Sequence, residues 1–156
     1  MQVFIYTDGA AKGNPGPGGY GIVLQTEKHY KELSAGYRRT TNNRMELLAV
    51  IEGLRALKNV GHEVHVVSDS KYVVDAINKG WLKSWVQKGF KNKKNVDLWK
   101  QIIPLLVKHK PHFHWVKGHN DHPQNERCDR LAVAASEQAD LLIDAPFEQS
   151  ENQGLF

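Results

Sequence analysis

The sequence contains one cysteine and no long apolar run. The single Cys128 excludes an intramolecular disulfide and fits a reducing compartment, so we expect a cytoplasmic protein. No stretch approaches the roughly 20 apolar residues that a membrane-spanning helix needs. The first residues are those of a strand and lack the basic and apolar regions of a signal peptide. We therefore expect no membrane partner and no secretion.

Acidic residues are absent between Trp81 and Val96, although this segment carries five lysines. Over the whole chain, 21 Lys and Arg residues against 17 Asp and Glu residues give a formal charge of +4, which permits a polyanionic partner. The 156 residues suffice for one domain with a core. We expect that domain over residues 1–143, with a polar, loosely ordered tail over residues 144–156.

The apolar pattern predicts an α/β fold. Strand-like segments lie at about 2–6, 20–25, 30–37, 64–68 and 113–116, and helix-like segments at about 43–58, 71–79, 97–108 and 125–142. We expect Pro104 to kink its helix or to begin a new turn. This order predicts a mixed five-stranded sheet with helices on both faces. The first three strands are expected to be antiparallel, and strands 1, 4 and 5 parallel.

Four acidic residues stand at the ends of predicted elements, and each has a structural alternative. Asp8 could belong to an Asp-Gly hairpin turn. Glu46 lies three residues after Asn43, the spacing of a capping box. Asp69 could cap the following helix, and Asp129, expected in the first turn of the last helix, could be a solvated residue favoured by the helix dipole.

Taken together, the four acids favour a metal site. Strand 1 is apolar on both faces, as central strands are, and Asp8 points off its end. Active sites of open α/β sheets lie beyond the carboxyl ends of parallel strands. Several carboxylates gathered there would repel each other, and divalent cations that prefer oxygen ligands relieve that repulsion.

The ordered set of motifs resembles type 1 bacterial ribonuclease H over nearly the whole chain. The resemblance rests on Thr7–Gly9, Gly13–Gly21, Thr40–Leu47, Ser68–Ser70, Asn95–Trp99, Trp115–His119 and Asn125–Asp129. It implies the ribonuclease H-like fold. It also implies an endonuclease that hydrolyses the RNA strand of RNA–DNA hybrids with little sequence specificity. The products would carry 5′-phosphate and 3′-hydroxyl ends.

The resemblance also implies the catalytic roles. Asp8, Glu46, Asp69 and Asp129 would hold two Mg²⁺ ions, with Mn²⁺ as a substitute; one ion would activate the attacking water and the other would stabilise the leaving oxygen. His119 resembles the mobile histidine that assists proton transfer or product release. We interpret His122 as structural, and we expect a monomer without an obligate protein partner.

Substrate contacts carried over from the family fall into three groups. Gly9, Asn14, Asn42 and Asn43, with Glu46, would read the 2′-hydroxyl of the RNA strand. Arg39, Thr41 and Asn95 match a pocket for a phosphate of the DNA strand. The third group is a basic protrusion at about 81–96, whose lysines would neutralise phosphates while its tryptophans pack beside sugars. Its members are Trp81, Trp85, Lys88, Lys91, Lys93 and Lys94. Tryptophans at helical spacing are usually core residues, so we expect Trp85 and Trp99 mostly to pack in the core and Trp81 to do both.

Four features depart from the family pattern. Ala10 and Ala11 replace a more polar pair, and Lys71 stands where many relatives have glutamine, although it could still touch the substrate backbone. The protrusion is shorter than usual. Asp121, two residues after His119, either raises the pKa of that histidine or points to solvent. Two other classes stay open: a different nuclease of the same fold, such as a junction resolvase, and a module that binds hybrids without cutting them.

Overall fold

The computed structural model describes residues 1–118 and 122–153, and its strands form one mixed sheet. The strands are β1 (Gln2–Ala11), β2 (Gly16–Gln25), β3 (Tyr30–Thr40), β4 (Glu63–Ser68) and β5 (His112–Trp115). Their spatial order is β3-β2-β1-β4-β5. The first three strands pair antiparallel, and β1, β4 and β5 pair parallel, so the predicted sheet is confirmed.

The described part of the chain contains six helices, which are the four predicted ones with shifted ends and two others. They are α1 (Asn42–Arg55), α2 (Lys71–Asn78), α3 (Trp81–Gln87), α4 (Val96–His109), α5 (Pro123–Ser136) and α6 (Ala145–Asn152). Helix α4 runs on through Pro104, so no new helix begins there. Proline keeps φ near its helical value and removes one hydrogen bond, a loss that the burial of Trp99 and Ile102 offsets. Within residues 1–118 and 122–153, no helix has the length and apolar character to span a membrane.

Side-chain alternation in the central strands puts α1 and α5 on opposite faces of the sheet. The side chains of Ile5 and Ile22 are fully buried beneath α1, where they approach Gly53. On the other face, α5 lies so close to β2 that a Cβ added at Gly21 would collide with the carbonyl oxygen of Cys128. The same close approach holds at Gly36 in β3, where an added Cβ would meet Ala135. Glycine therefore allows the backbone of α5 to lie directly on the sheet.

The chain after α5 differs from the sequence expectation. Helix α5 ends at Ser136 rather than near residue 142, and the following segment returns to β3, where Arg38 N donates to Leu142 O at 2.9 Å. Residues 145–152, expected to be loosely ordered, form α6. Asp144 caps this helix and is 4% exposed. Its buried carboxylate is stabilised by hydrogen bonds that it accepts from the Thr40 hydroxyl and the Arg44 guanidinium. These partners lie 100 residues or more away in sequence, so local polarity alone could not reveal them.

Candidate active site

Asp8 lies on β1 just beyond the point where the parallel pairing with β4 stops. The last parallel pair is Thr7 with Ser68, while Asp8 still pairs with Gly21 of β2. The Asp-Gly turn interpretation is therefore wrong, since β1 continues to Ala11. Asp8 is 5% exposed, and Asp69 directly follows the end of β4. The two carboxylates thus occupy the carboxyl edge of the parallel strands, as predicted.

Glu46 reaches this edge because α1 approaches β1 at a glycine. The Gly9 N–H donates to Glu46 Oε1 at 2.5 Å, and the Ser68 hydroxyl lies 3.5 Å from Oε2. A Cβ added at Gly9 would lie 2.5 Å from the backbone nitrogen of Glu46, so a larger residue would force α1 away. The capping-box interpretation is wrong, because Thr41 caps α1 and its hydroxyl accepts from Arg44 N.

Asp69 is positioned by its neighbours and does not cap α2. The capping residue is Ser70, whose hydroxyl accepts from Val73 N. The carboxylate of Asp69 lies against Gly118, where an added Cβ would come within 2.6 Å of Oδ2. Its backbone carbonyl accepts a hydrogen bond from Trp115 Nε1 at 3.1 Å.

Asp8, Glu46 and Asp69 form a compact group of carboxylates. One oxygen from each can be chosen so that all three lie within 4.8 Å of one another. Burial, followed by the charge of Glu46, raises the pKa of Asp8 far above its ordinary value. Burial also raises the pKa of Glu46, although the Gly9 N–H and the Ser68 hydroxyl act in the opposite direction. Three buried or half-buried carboxylates at this spacing have the chemistry of a divalent-cation site.

Asp129 lies near this group but outside the set of three. It is half-buried in the second turn of α5, rather than the predicted first turn, because α5 begins at Pro123. This position weakens the helix-dipole alternative, which applies to the first turn. The charge of Asp129 contributes to the raised pKa of Asp8, so the two carboxylates act on one another.

The two histidines of the last loop differ in what the structure describes. His119 lies outside the described residues, as does Asp121, and the roles expected of them stay predictions. His122 caps α5, since its Nδ1 accepts from Asn125 N at 3.2 Å, and its ring lies beside Tyr6. Its interpretation as structural agrees with this capping contact.

Asn14 and Asn42, both predicted to contact the substrate, join the β1–β2 hairpin to α1. The Asn42 side-chain oxygen accepts from Ala11 N, and the Asn14 side-chain oxygen accepts from Asn42 N at 3.0 Å. These bonds hold Asn14 and Asn42 between the end of β1 and the start of α1. The hydroxyl of Ser68, which supports Glu46, was not predicted, because only the strand register brings it there.

A groove of about 940 Å³ runs between the start of α1 and the loop before α4, and Thr41, Asn43, Lys94 and Asn95 line it. The amide oxygen of Asn95 accepts from Arg44, and its amide nitrogen donates to the Tyr72 hydroxyl. Arg39, predicted for the same phosphate pocket, instead binds both carboxylate oxygens of Glu151 on α6 at 2.8 Å. Both side chains of this ion pair are exposed enough for Arg39 to exchange partners.

The predicted protrusion consists of α3 and the loop that follows it. Trp85 packs edge-on against buried Trp99, with ring centroids 5.5 Å apart, whereas Trp81 is 43% exposed. Lys93 lies over the ring of Trp85, and Lys71 lies over the ring of Trp115 at 4.7 Å. The remaining predicted phosphate-binding lysines of the protrusion are exposed, namely Lys88, Lys91 and Lys94.

Comparisons with known proteins agree on one family. A sequence model described as RNase H matches residues 1–137. Curated proteins named Ribonuclease H include one from Desulforamulus reducens, 55% identical with 92% of each chain covered, and one from Erythrobacter litoralis, 57% identical with 90% of this chain and 97% of the relative covered. Among solved structures, LC9-RNase H1 has a TM-score of 0.79 at 31% identity, covering 99% of this chain and 82% of its own. LC11-RNase H1, solved in complex with RNA/DNA hybrid, has a TM-score of 0.67 at 30% identity, covering 88% and 98%.

Proposed function

This chain belongs to the ribonuclease H family and hydrolyses the RNA strand of RNA–DNA hybrids, and we propose that Asp8, Glu46, Asp69 and Asp129 hold two Mg²⁺ ions for that reaction. The observation that supports the site is the group of three carboxylates at the carboxyl edge of β1 and β4, with Asp129 adding its charge. Mn²⁺ is an expected substitute, because it accepts the same oxygen ligands.

The positions of the carboxylates suggest a separate role for each residue in the reaction. The bound ions would supply an activated water and would neutralise charge on the departing oxygen. Glu46 is held in place by the Gly9 N–H, so its carboxylate stays beside Asp8. Asp69 is confined between Trp115 and Gly118 at the end of β4. We assign His119 the transfer of a proton near the scissile phosphate, after which the ends would be a 5′-phosphate and a 3′-hydroxyl.

Substrate recognition is proposed to combine two surfaces. Gly9 donates to the carboxylate of Glu46, and Asn42 is hydrogen-bonded to Ala11 and Asn14. Together with Asn43, these residues would read the 2′-hydroxyl, the local feature that distinguishes RNA from DNA. The groove lined by Thr41 and Asn95 would hold a DNA phosphate, with Arg39 exchanging Glu151 for that phosphate. Phosphate contacts position a duplex without reading its bases, so we propose little sequence specificity.

A cleavage assay on three matched duplexes tests this function. A DNA duplex with a short run of ribonucleotides in one strand should be cut within the run, and a full hybrid should be cut along its RNA strand. An all-DNA duplex of the same sequence should stay intact, because it offers no 2′-hydroxyl to the residues around Gly9. Comparable cutting of the all-DNA duplex, or cutting without a divalent ion, would contradict the proposal.

The exposed lysines of the protrusion are expected to affect binding more than chemistry. Replacing Lys88, Lys91, Lys93 and Lys94 by alanine should raise KM much more than it lowers kcat, because phosphate contacts hold ground state and transition state about equally. The logarithm of the binding constant for the hybrid falls linearly with the logarithm of the salt concentration. Each lost phosphate contact should make that slope shallower by about 0.9, the value for duplex DNA.

A matched variant controls for the change in net charge. Alanine at the exposed residues Lys28, Lys31, Lys58 and Lys108 removes the same charge from other surfaces. We expect this control to leave KM and the salt slope close to those of the wild type. Equal effects in the two variants would show that the protrusion lysines act only through net charge.

We propose a cytoplasmic location and a monomer that needs no protein partner. The location is supported by Cys128, which is a free and buried thiol rather than part of a disulfide. Cell fractionation checks the location. Light scattering on the purified protein measures whether it is a monomer, and a cleavage assay with that protein alone measures whether it is active without a partner. An inactive monomer would reject the proposal that no protein partner is needed.

A further inference from the structure

Three histidines lie together on β4 and β5, on the sheet face that also carries Phe4. His65 pairs with His112 in the strand register, and His114 is the next residue of β5 on the same face. The ring centroid of His65 lies 5.3 Å from that of His112 and 5.0 Å from that of His114. Helix α5 covers β1, β2 and β3, which leaves His112 and His114 exposed.

The rings of His65 and His114 are joined by a hydrogen bond between one nitrogen of each. Nδ1 of His65 lies 2.8 Å from Nε2 of His114, so one nitrogen must donate and the other accept. Two imidazole nitrogens bound to one tetrahedral Zn²⁺ lie about 3.3 Å apart. The observed 2.8 Å is a hydrogen-bond distance, so the two rings would have to move apart by about 0.5 Å to bind one ion.

The opposite side of His65 carries the kind of partner that metal-binding histidines use. Its Nε2 is buried without a hydrogen-bond partner among the described residues, and Glu63 Oε1 lies 3.5 Å away. Glu63 is itself held by Gln2, whose Nε2 donates to Oε2 at 2.9 Å. A carboxylate at this position favours a proton on Nε2, which leaves the lone pair of Nδ1 facing His114. Phe4 stacks on the His65 ring at 4.9 Å and restricts its rotation.

We propose that His65 and His114, with His112 as a third ligand, bind a late first-row transition-metal ion such as Zn²⁺ or Cu²⁺. Imidazole nitrogens suit these ions, whereas the carboxylates of the active site suit Mg²⁺ and Mn²⁺. His112 is exposed, so rotation of its side chain can bring a ring nitrogen to the ion without moving the strand. Water would complete the coordination, and Glu63 would act by orienting His65.

Calorimetric titration with Zn²⁺ tests this site, with excess Mg²⁺ present to occupy the carboxylates. We expect the wild-type protein to bind one Zn²⁺. His65→Ala and His114→Ala should each weaken binding by about 10-fold or more. Glu63→Gln should weaken it by about 10-fold, because Glu63 orients the ligand His65 without binding the ion itself. His29→Ala removes an exposed histidine elsewhere and should leave the affinity unchanged.

A second measurement separates this site from the catalytic one. Electron paramagnetic resonance with Cu²⁺ should show at least two nitrogen ligands in the wild type and fewer in His65→Ala. Cleavage of hybrid by His65→Ala in Mg²⁺ alone should match the wild type, which also shows that the variant is folded. Equal Zn²⁺ affinity in the wild type, His65→Ala and His114→Ala would overturn the proposal, as would loss of Zn²⁺ binding in Asp8→Asn but in neither histidine variant.

Discussion

Asp8→Asn is expected to lower the rate of hybrid cleavage by about 10³-fold or more, because a bound metal ion contributes several kcal/mol to catalysis. Asparagine keeps the shape of the side chain but removes a negative charge from the group of carboxylates within 4.8 Å of one another. Binding of the hybrid should survive in Mg²⁺, since the exposed lysines of the protrusion are untouched. Single-turnover cleavage and a separate binding titration measure the two effects.

The same substitution should stabilise the metal-free protein. Burial and the nearby carboxylates raise the pKa of Asp8 well above its unfolded value of about 3.9, so ionised Asp8 opposes folding at neutral pH. Without divalent ions, Asp8→Asn should therefore melt at a higher temperature than the wild type, by about 2–4 °C for each kcal/mol of repulsion removed. Added Mg²⁺ should raise the melting temperature of the wild type more than that of the variant.

Asp140→Asn provides a control, because Asp140 is exposed and outside the cluster. It should change neither turnover nor the response to Mg²⁺. Near-normal turnover of Asp8→Asn in Mg²⁺ would reject the role assigned to Asp8. Loss of turnover accompanied by a lower melting temperature in the absence of metal would instead indicate a folding defect.

The sheet and the carboxylate group could be predicted from the sequence, because both follow from local patterns. Short segments that are apolar on both faces mark β1 and β4 as central strands, and the end of their parallel pairing places Asp8 and Asp69 at one edge. The motif around the start of α1 indicates Glu46, but its bond to Gly9 depends on how closely the helix approaches the strand. Residue spacing alone therefore does not distinguish a helix cap from a metal ligand at Glu46.

Features that depend on distant residues escape prediction. The polar composition of the tail predicts loose order, whereas its partners Arg38, Arg39 and Arg44 lie 100 residues or more earlier. The histidine pair His65 and His114 likewise becomes visible only once the register of β4 and β5 is known. Helix α5 ends early because the chain must turn back to pair Leu142 with Tyr37, which is a tertiary requirement.

Arg44 is the residue where these distant contacts converge. Its guanidinium is 4% exposed and donates to both oxygens of Asp144, at 2.7 and 3.0 Å, and to both oxygens of Asp97, at 2.9 and 2.7 Å. Asp97 belongs to the first turn of α4, and Asp144 caps α6. One side chain on α1 therefore holds the starts of two other helices, two residues before Glu46.

Arg44→Met is expected to lower the free energy of unfolding by about 3–5 kcal/mol, because it leaves the carboxylate of Asp144 buried without its cation. Urea unfolding of the metal-free protein measures this loss. Arg38→Met removes an exposed arginine with a similar bidentate partner, Glu148, and should cost less than about 1 kcal/mol. Equal losses in the two variants would show that burial does not matter to the Arg44 pairs.

A double variant and a pH series identify the cause of the loss. Arg44→Met combined with Asp144→Leu removes the unpaired buried charge, so it should recover part of the stability lost in Arg44→Met alone.

Burial would raise the pKa of Asp97, but the hydrogen bonds and charge of Arg44 outweigh it and lower that pKa. The stability that Asp97 contributes is thus present above its unfolded pKa of about 3.9 and is lost as the pH falls through the lower folded pKa. Arg44→Met should lack this part of the acid dependence. A double variant no more stable than Arg44→Met, with the acid dependence of the wild type retained, would show that Arg44 acts by packing rather than by charge.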